Sequence, residues 1–249
     1  MRAGVIGYGE VGSAIASLYR KRGHGDPVVS DPSLGLAGDL APCDVLHVAV
    51  PAQVVHEVVT SRRRNPLHIV HSSVPVGTCR ILARRGLRVV HAPVRGAHPD
   101  LVRSLETFVM PVGGPPDSDG VVSSEHISAA DVLRRLGISV DLWGAWEETE
   151  LAKLLCTLRL GVDVIWMRHV ADLCAAQGVS FDRVYAQWTS DYSDGVLKMG
   201  LWNLRRTILD LVQGPIGGRG VLENARLLAE HSRFAAFVLE EGVKDWRPA

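Results

Sequence analysis

Three glycines in a fixed spacing lie at the start of the chain. Gly7, Gly9 and Gly12 form the pattern G-x-G-x-x-G between a short apolar run, Ala3 to Ile6, and a helix-like run, Ser13 to Arg22. In such a strand-turn-helix the first glycine allows a tight turn, the second lets the backbone approach a pyrophosphate, and the third lets helix and strand pack closely. We therefore expect a dinucleotide site where the amides and the dipole of the helix N-terminus favour an anion.

An acidic residue follows this pattern at the expected distance. Asp31 stands 19 residues after Gly12, at the end of a second predicted strand, Pro27 to Ser30. A carboxylate there accepts hydrogen bonds from a ribose 2′-OH and repels a 2′-phosphate, which favours NAD over NADP as the cofactor. The residues expected to bind NAD are Gly7, Gly9, Glu10, Val11, Gly12, Asp31, Val50, Pro51 and Ser72.

Short apolar runs alternate with helix-like runs through the first half of the chain. Nearly all-apolar strands are typical of a parallel sheet with helices on both faces. The pattern predicts an α/β fold, with a Rossmann-type doubly wound parallel sheet over residues 1–145. The remaining predicted strands are Val45 to Val50, Leu67 to His71, Leu87 to His91, Thr107 to Val112 and Ser139 to Leu142, and the helices between them are Gln53 to Ser61, Gly77 to Arg85 and Ser123 to Leu136.

The apolar spacing becomes helical from Glu147 onward. One long central helix is predicted over residues 147–177, because apolar positions recur at helical spacing as far as Gln177 and Gly178. Further helices are predicted from Phe181 to Tyr192 and from Leu222 to Glu240. Residues 146–249 are thus expected to form a smaller all-helical domain for substrate binding and dimerisation.

Charge and cysteine content exclude several classes of protein. Lysine plus arginine and aspartate plus glutamate both number 27, so no basic excess favours nucleic acid or an anionic membrane. No apolar run reaches the roughly 18 residues of a membrane span, and we expect a cytoplasmic protein. Its four scattered cysteines, Cys43, Cys79, Cys156 and Cys174, argue against a disulfide framework or a metal site.

Four histidines lie within or at the ends of predicted strands. His47, His68, His71 and His91 are expected to be core residues with satisfied hydrogen bonds rather than catalytic groups.

Several motifs together resemble one family of dehydrogenases. Besides the glycine pattern, these are HSSVPVGT at residues 71–78, ELAKL at 150–154 and GPIGG at 214–218. The combination resembles the UDP-glucose/GDP-mannose dehydrogenase family, whose members are similar to 6-phosphogluconate dehydrogenase, and extends to about Leu228. The resemblance implies an NAD domain followed by a helical dimerisation core, and hence a homodimer. The apolar surface of the long helix also favours a symmetric dimer, because such a surface needs a partner. The alternative is that the same domain covers this surface within one chain.

The resemblance also implies roles for individual residues. Lys153 matches a family lysine that stabilises a developing alkoxide or takes its proton. Ser73 keeps a hydroxyl where the family has a threonine near the reacting centre, and Thr157 stands in place of a family asparagine. The family's third, nucleotide-sugar domain follows the part that this chain matches, so we expect a truncated member.

Three positions depart from the family pattern. Gly220 stands where the family has its nucleophilic cysteine, Val94 where it has a glutamate, and Asn224 where it has an aspartate. Without the thiol and that glutamate, two successive oxidations to an acid have no evident route, and a single hydride transfer is expected. The loop after Val94 offers Arg95 as a substrate ligand and His98 as a catalytic acid or base.

Three functions fit these residues. The first is an NAD-dependent dehydrogenase making one hydride transfer at a hydroxyl of a sugar, nucleoside or nucleotide sugar. The second is a redox-neutral epimerase or dehydratase that uses tightly bound NAD for transient oxidation, and the third is a non-catalytic NAD-binding protein. Arg205, Arg206 and Arg219 are candidate ligands for a phosphate or carboxylate, with Arg219, Arg95, Thr157 and Asn224 as the expected substrate-binding set.

Overall fold

The chain divides into two compact units. The computed structural model describes residues 1–60, 65–96, 99–116, 122–217 and 220–248. The first unit comprises Met1–Lys153 and the second Leu154–Ala249.

Alternating strands and helices build the first unit. The strands within its described ranges are β1 Ala3–Ile6, β2 Val28–Asp31, β3 Leu36–Ala37, β4 Val45–Val48, β5 Leu67–Val70, β6 Val89–His91, β7 Met110–Gly114 and β8 Val140–Ala145. The helices are α1 Glu10–Lys21, α2 Ala52–Thr60, α3 Thr78–Arg84, α4 Leu101–Thr107 and α5 Ser124–Arg135. The strands form one sheet in the order β3-β2-β1-β4-β5-β6-β7-β8.

The centre of the sheet is parallel and its two ends are not. Strands β2, β1, β4, β5 and β6 run in one direction, with Val5 opposite both Val29 and His47. Strand β3 is antiparallel to β2, because only the short turn Pro32–Leu34 and Gly35 joins them and a parallel crossover needs a longer connection. Strand β7 is antiparallel to β6, and β8 is parallel to β7. The Rossmann-type sheet is thus confirmed, with antiparallel additions to its parallel core.

Helices cover both faces of this sheet. Val5 packs in one apolar cluster and the next residue, Ile6, packs in another, since successive side chains of a strand point to opposite faces. The cluster around Val5 includes Leu18 of α1 and Leu133 of α5. The cluster around Ile6 contains side chains from α2 and α3. This two-sided burial explains why the β1, β4 and β5 runs are nearly all apolar, with His47 and His68 as their buried polar members.

One helix was missing from the sequence-based prediction. Helix α4 has only seven residues, and Asp100 caps it by accepting a hydrogen bond from the Arg103 amide at 3.0 Å. So short a helix shows too few turns for its apolar spacing to be recognised.

Helices dominate the second unit. Helix α6, Trp146–Gln177, begins in the first unit, continues into the second and confirms the predicted long helix. A π-helical stretch, Asp182–Gln187, leads into α7, Trp188–Lys198. The predicted closing helix is instead two helices, α8 Val221–Leu228 and α9 Arg233–Gly242. The break occurs because the Ser232 hydroxyl caps α9 by accepting from the Ala235 amide at 3.3 Å.

Side chains of α6, α8 and α9 form the apolar core of the second unit. Leu158, Ala225 and Val238 are among its buried members. Among the helices that the structure describes, none has the length and apolar content needed to span a membrane.

Candidate functional site

The loop between β1 and α1 places its three glycines in three different surroundings. Gly7 has a φ of +86°, and a Cβ there would lie 2.3 Å from the Ala49 carbonyl oxygen. A Cβ on Gly12 would lie 1.9 Å from the Gly7 carbonyl oxygen. A Cβ on Gly9 would meet no protein atom within 4 Å. The loop therefore needs glycine at positions 7 and 12 for its own packing, and at Gly9 it leaves the backbone open to a ligand.

Asp31 ends β2 beside this loop. Its Oδ2 atom accepts a hydrogen bond from the Tyr8 amide at 2.7 Å. Its Oδ1 atom accepts from the Ser33 hydroxyl at 2.6 Å and from the Ser33 amide at 3.0 Å. The bonds from the Ser33 hydroxyl and the Tyr8 amide lower the pKa of the Asp31 carboxyl, so a fixed negative charge lies next to the glycine loop.

The carboxyl ends of β4 and β5 are joined by Ser72. Its hydroxyl accepts a hydrogen bond from the Val50 amide at 3.1 Å and lies 3.5 Å from the Val48 carbonyl oxygen. Ser72 is buried, Ser73 is half-buried and Pro51 is exposed. Ser72, a predicted cofactor-binding residue, thus also has a structural role, because its hydroxyl links the segments that follow β4 and β5.

A cavity of about 200 Å³ opens at this edge, within the first unit. It brings together predicted residues from four different parts of the chain: Val11 of α1, Val50 after β4, Ser72 and Ser73 after β5, and Lys153 of α6. Its other lining residues are Ala49, His71, Val94, Gly96 and Leu101.

Lys153 lies at the wall of this cavity. Its Nζ atom donates a hydrogen bond to the carbonyl oxygen of Val94 at 2.9 Å. Val94 is the position that the resemblance matches to a family glutamate. The side chain there is a buried valine, and it is the main-chain oxygen that holds the ammonium.

Two buried histidines, His47 and His71, confirm the prediction that they are core residues. The Ala92 carbonyl oxygen lies 2.6 Å from Nδ1 of His71 and can only accept, so this nitrogen carries a proton. Nε2 of His71 must then accept from Nδ1 of His47 at 3.0 Å, and Nε2 of His47 from the Tyr19 hydroxyl at 2.9 Å. Burial lowers the pKa of His71 to about 4 and that of His47 well below its usual range, so both rings are neutral.

His68 and His91 are buried in the same sheet. His91 bonds to the Ser72 carbonyl oxygen at 3.1 Å and to the Thr149 hydroxyl at 2.8 Å. Burial lowers the pKa of His91 to about 3. His68 is fully buried on the neighbouring strand. Sequence reasoning missed Thr149, because nothing in its local pattern links it to residues 58 positions away.

A separate polar cluster lies within the second unit. The Asn224 side-chain amide donates to the Thr157 hydroxyl at 2.6 Å, and that hydroxyl lies 3.2 Å from the Leu154 carbonyl oxygen. Asn224 is 3% exposed. A Cβ on Gly220 would lie 3.8 Å from the Thr157 side chain, an ordinary contact. Three of the positions that the resemblance relates to substrate chemistry are therefore neighbours here.

Some of the remaining candidate residues lie in the described part of the chain and others do not. Arg95 is described and exposed, and the Arg206 guanidinium lies over the Tyr192 ring at 4.0 Å. His98 and Arg219 lie outside the described residues. Within the ranges that the structure describes, no three histidine, cysteine, aspartate or glutamate side chains group as metal ligands would.

Comparison with known proteins gives matches in structure alone. No family model and no curated protein sequence matches the chain. Among solved structures, UDP-D-ManNAc dehydrogenase from Pyrococcus horikoshii is 18% identical with a TM-score of 0.73, over 97% of this chain and 68% of that one. The 3-hydroxyisobutyrate dehydrogenase of Mycobacterium tuberculosis is 17% identical with a TM-score of 0.65, over 98% and 97% of the two chains. Psf3, solved with NADP+ and 2-OPP, is 16% identical with a TM-score of 0.64, over 96% and 92%. Nearly the whole chain therefore shares the fold of Rossmann-type dehydrogenases.

Proposed function

We propose that this chain binds NAD and makes a single hydride transfer at a hydroxyl of a sugar, nucleoside or nucleotide sugar. One arrangement carries the proposal: the glycine loop and Asp31 follow β1 and β2, and the cavity with Ser73 and Lys153 lies at the ends of β4, β5 and β6. Dinucleotides bind open α/β sheets in this crevice, with their two halves on opposite sides of the first strand. Similar folds in sugar and hydroxyacid dehydrogenases support the same chemistry.

The residues of the first unit fit NAD. The open space at Gly9 and the first amides of α1, those of Glu10 and Val11, suit a pyrophosphate. The charged Asp31 carboxylate suits a ribose diol and disfavours a 2′-phosphate. When bound, NAD would supply the acceptor for the hydride. Val50, Pro51 and Ser72 would then line the opposite half of the cofactor.

Lys153 and Ser73 are the groups that we assign to the reacting oxygen. A Lys153 ammonium held by the Val94 carbonyl stabilises negative charge that develops on a substrate hydroxyl, and the Ser73 hydroxyl orients that oxygen. Neither Val94 nor Gly220 offers a carboxylate or a thiol, so the residues support one oxidation and no covalent intermediate. Thr157, Asn224, Arg95 and Arg219 stay proposals as substrate ligands, and His98 as an acid or base.

Cofactor binding is tested by titrating the purified protein with NADH and NADPH. We expect NADH to bind more tightly, and Asp31→Asn to weaken NADH binding by about 10-fold, because hydrogen bonds to a charged acceptor contribute about 1.5–3 kcal/mol. Asp26→Asn is the matched control, since Asp26 is exposed and pairs with Arg20. Equal affinities for NADH and NADPH in the native protein would contradict the assignment of Asp31.

Turnover is tested by NADH absorbance with a panel of polyols, sugars, nucleosides and nucleotide sugars. We expect one NADH for each substrate molecule, and a loss of about 100-fold or more in kcat in Lys153→Ala, in the range typical of acid-base groups. Lys198→Ala, at an exposed lysine of α7, should retain activity. Cofactor that dialysis does not remove, with product but no NADH, would establish the redox-neutral alternative instead. Binding of NADH with no conversion of any compound in the panel would favour a non-catalytic protein.

We further propose that the protein is a cytoplasmic homodimer formed through its second unit. Large apolar side chains are exposed there, among them Trp166 and Leu173 of α6 and Trp188 of α7. Exposed apolar surface of this extent in a soluble chain is typical of an interface.

A further inference from the structure

The loop that carries Ser72 and Ser73 is held at both of its ends by α6. We call residues 71–77, between β5 and α3, the serine loop. Two consecutive residues of α6 hold it, Glu150 directly and Thr149 through His91, and Lys153 follows on the same helix. All of these residues belong to the first unit.

Glu150 holds the end of the serine loop that leads into α3. Its Oε2 atom accepts a hydrogen bond from the Gly77 amide at 2.6 Å, and its Oε1 atom accepts from the Cys79 amide at 2.9 Å. The side chain is fully buried. Each carboxylate oxygen therefore receives a main-chain N–H, and the two bonds fix both the position and the orientation of the turn.

Thr149 holds the other end through His91. The Ser72 carbonyl oxygen can only accept, so Nε2 of His91 donates to it at 3.1 Å. Nδ1 of the neutral ring then accepts from the Thr149 hydroxyl at 2.8 Å, and this hydroxyl shares its single proton with the Trp146 carbonyl oxygen at 2.9 Å. The peptide group of Ser72 is thereby tied to α6 through one imidazole.

Burying the Glu150 carboxylate is energetically unfavourable, and its two hydrogen bonds to the loop must offset that cost. Burial raises the pKa of its carboxyl, and the bonds from Cys79 and Gly77 oppose that rise. A serine or aspartate at position 77 could cap a helix locally at less cost, but Gly77 has a φ of +92° and no side chain. The carboxylate that replaces a local cap comes from the helix of Lys153, 73 residues away from Gly77.

We infer that Thr149 and Glu150 are positioning residues, which hold the serine loop at a fixed distance from Lys153. The inference rests on the proposed function for its meaning, because Ser73 and Lys153 are the groups assigned there to the reacting oxygen. Positioning of this kind matters because hydrogen-bonding groups stabilise a transition state only at short and constant distances.

Two measurements on Glu150→Gln and Thr149→Val test the inference. Glutamine would place an N–H donor against a main-chain N–H, and valine removes the donor to His91 while keeping the shape of threonine. Hydrogen-deuterium exchange followed by mass spectrometry reports on the serine loop, and we expect its exchange to become about 10-fold faster or more in each variant. Glu148→Gln is the matched control, because Glu148 is exposed and accepts a hydrogen bond from the Ala145 amide of its own turn.

The second measurement compares the affinities of NADH and ADP-ribose. ADP-ribose lacks the nicotinamide, so it uses the glycine loop and Asp31 but not the side of β4 and β5 where the serine loop lies. We expect NADH affinity to fall about 10-fold in both variants, the equivalent of one lost hydrogen bond, while ADP-ribose affinity stays within about 2-fold. A merely structural role would lower both affinities together, along with the melting temperature.

The exchange and affinity measurements separate a positioning role of Thr149 and Glu150 from a merely structural one. Unchanged exchange in both variants, or an equal loss of both ligands, overturns the inference. If the native protein binds neither ligand, the proposed function fails, and the exchange data still establish or refute the attachment of the loop to α6. If Glu150→Gln does not fold, Glu150→Asp provides the same comparison, because the shorter carboxylate keeps the charge and loses reach. Thr149→Val then decides independently from the other end of the loop.

Discussion

Gly9 and Gly12, three residues apart, differ in what an added methyl group would meet. At Gly9 the methyl group would enter open space, with a φ of −71° that alanine adopts readily. At Gly12 it would overlap the Gly7 carbonyl oxygen, and backbone atoms yield little. The fold itself therefore requires glycine at position 12, whereas at position 9 a bound ligand would be the reason for a glycine.

Alanine substitution should separate these two roles. For Gly9→Ala we expect a melting temperature within about 2 °C of the native protein and at least about 10-fold weaker NADH binding, because the methyl group occupies the space of the pyrophosphate. For Gly12→Ala we expect a melting temperature lower by about 5 °C or more, in line with about 1–3 kcal/mol for overpacking. Scanning calorimetry and NADH titration check both. Native affinity in Gly9→Ala would mean that the cofactor does not approach the backbone there.

Elements of the sheet carry their polar groups in two distinct ways. Residues after the carboxyl ends of β4 and β5, His71 among them, line the cavity, whereas His47 and His91 lie within the strands; all three rings are buried and hydrogen-bonded. These rings are neutral in the folded protein because burial lowers each pKa. In the unfolded chain the same rings gain a proton near pH 6.5.

The sheet should therefore lose stability as the pH falls. Because the unfolded state binds more protons than the folded state below pH 6.5, the free energy of unfolding is highest above that pH and falls as the pH drops towards the folded values of about 4 and 3. Three such histidines should lower it by about 4 kcal/mol between pH 7 and pH 5.5, which urea denaturation at the two pH values measures. His71→Asn should reduce this difference, whereas His56→Asn, at an exposed histidine of α2, should not. An unaltered pH dependence in His71→Asn would contradict a lowered pKa of this ring in the folded protein.

Large apolar side chains are exposed on the second unit of the molecule. Trp166 is 59% exposed and Trp202 is 76% exposed. Burying such groups between two copies of the chain would stabilise a symmetric dimer by roughly 25 cal/mol for each Å² of apolar area removed from water.

Light scattering during size-exclusion chromatography tests the dimer. We expect twice the chain mass for the native protein and a shift of Trp166→Glu towards the chain mass, because the dimer would have to bury an uncompensated charge. Phe108→Glu, at an exposed aromatic residue of the first unit, is the matched control and should keep the native mass. A native protein that elutes as a single chain at micromolar concentrations would refute the homodimer.

The sequence by itself determined those features that short stretches of chain encode. The glycine loop, Asp31 at the end of β2, the apolar strands and the 32-residue α6 follow from residue spacing, because hydrophobic periodicity and turn chemistry act over a few residues. The burial of the strand histidines followed in the same way from their apolar neighbours.

Only the tertiary structure decided which distant groups meet. The antiparallel ends of the sheet, the bond from Lys153 to the Val94 carbonyl and the attachment of the serine loop to Glu150 join residues that no local pattern relates. Main-chain carbonyls and amides make these contacts, and every residue type carries the same main chain. Their partners are therefore chosen by how the elements pack, since buried polar groups must find a hydrogen bond wherever the fold places them.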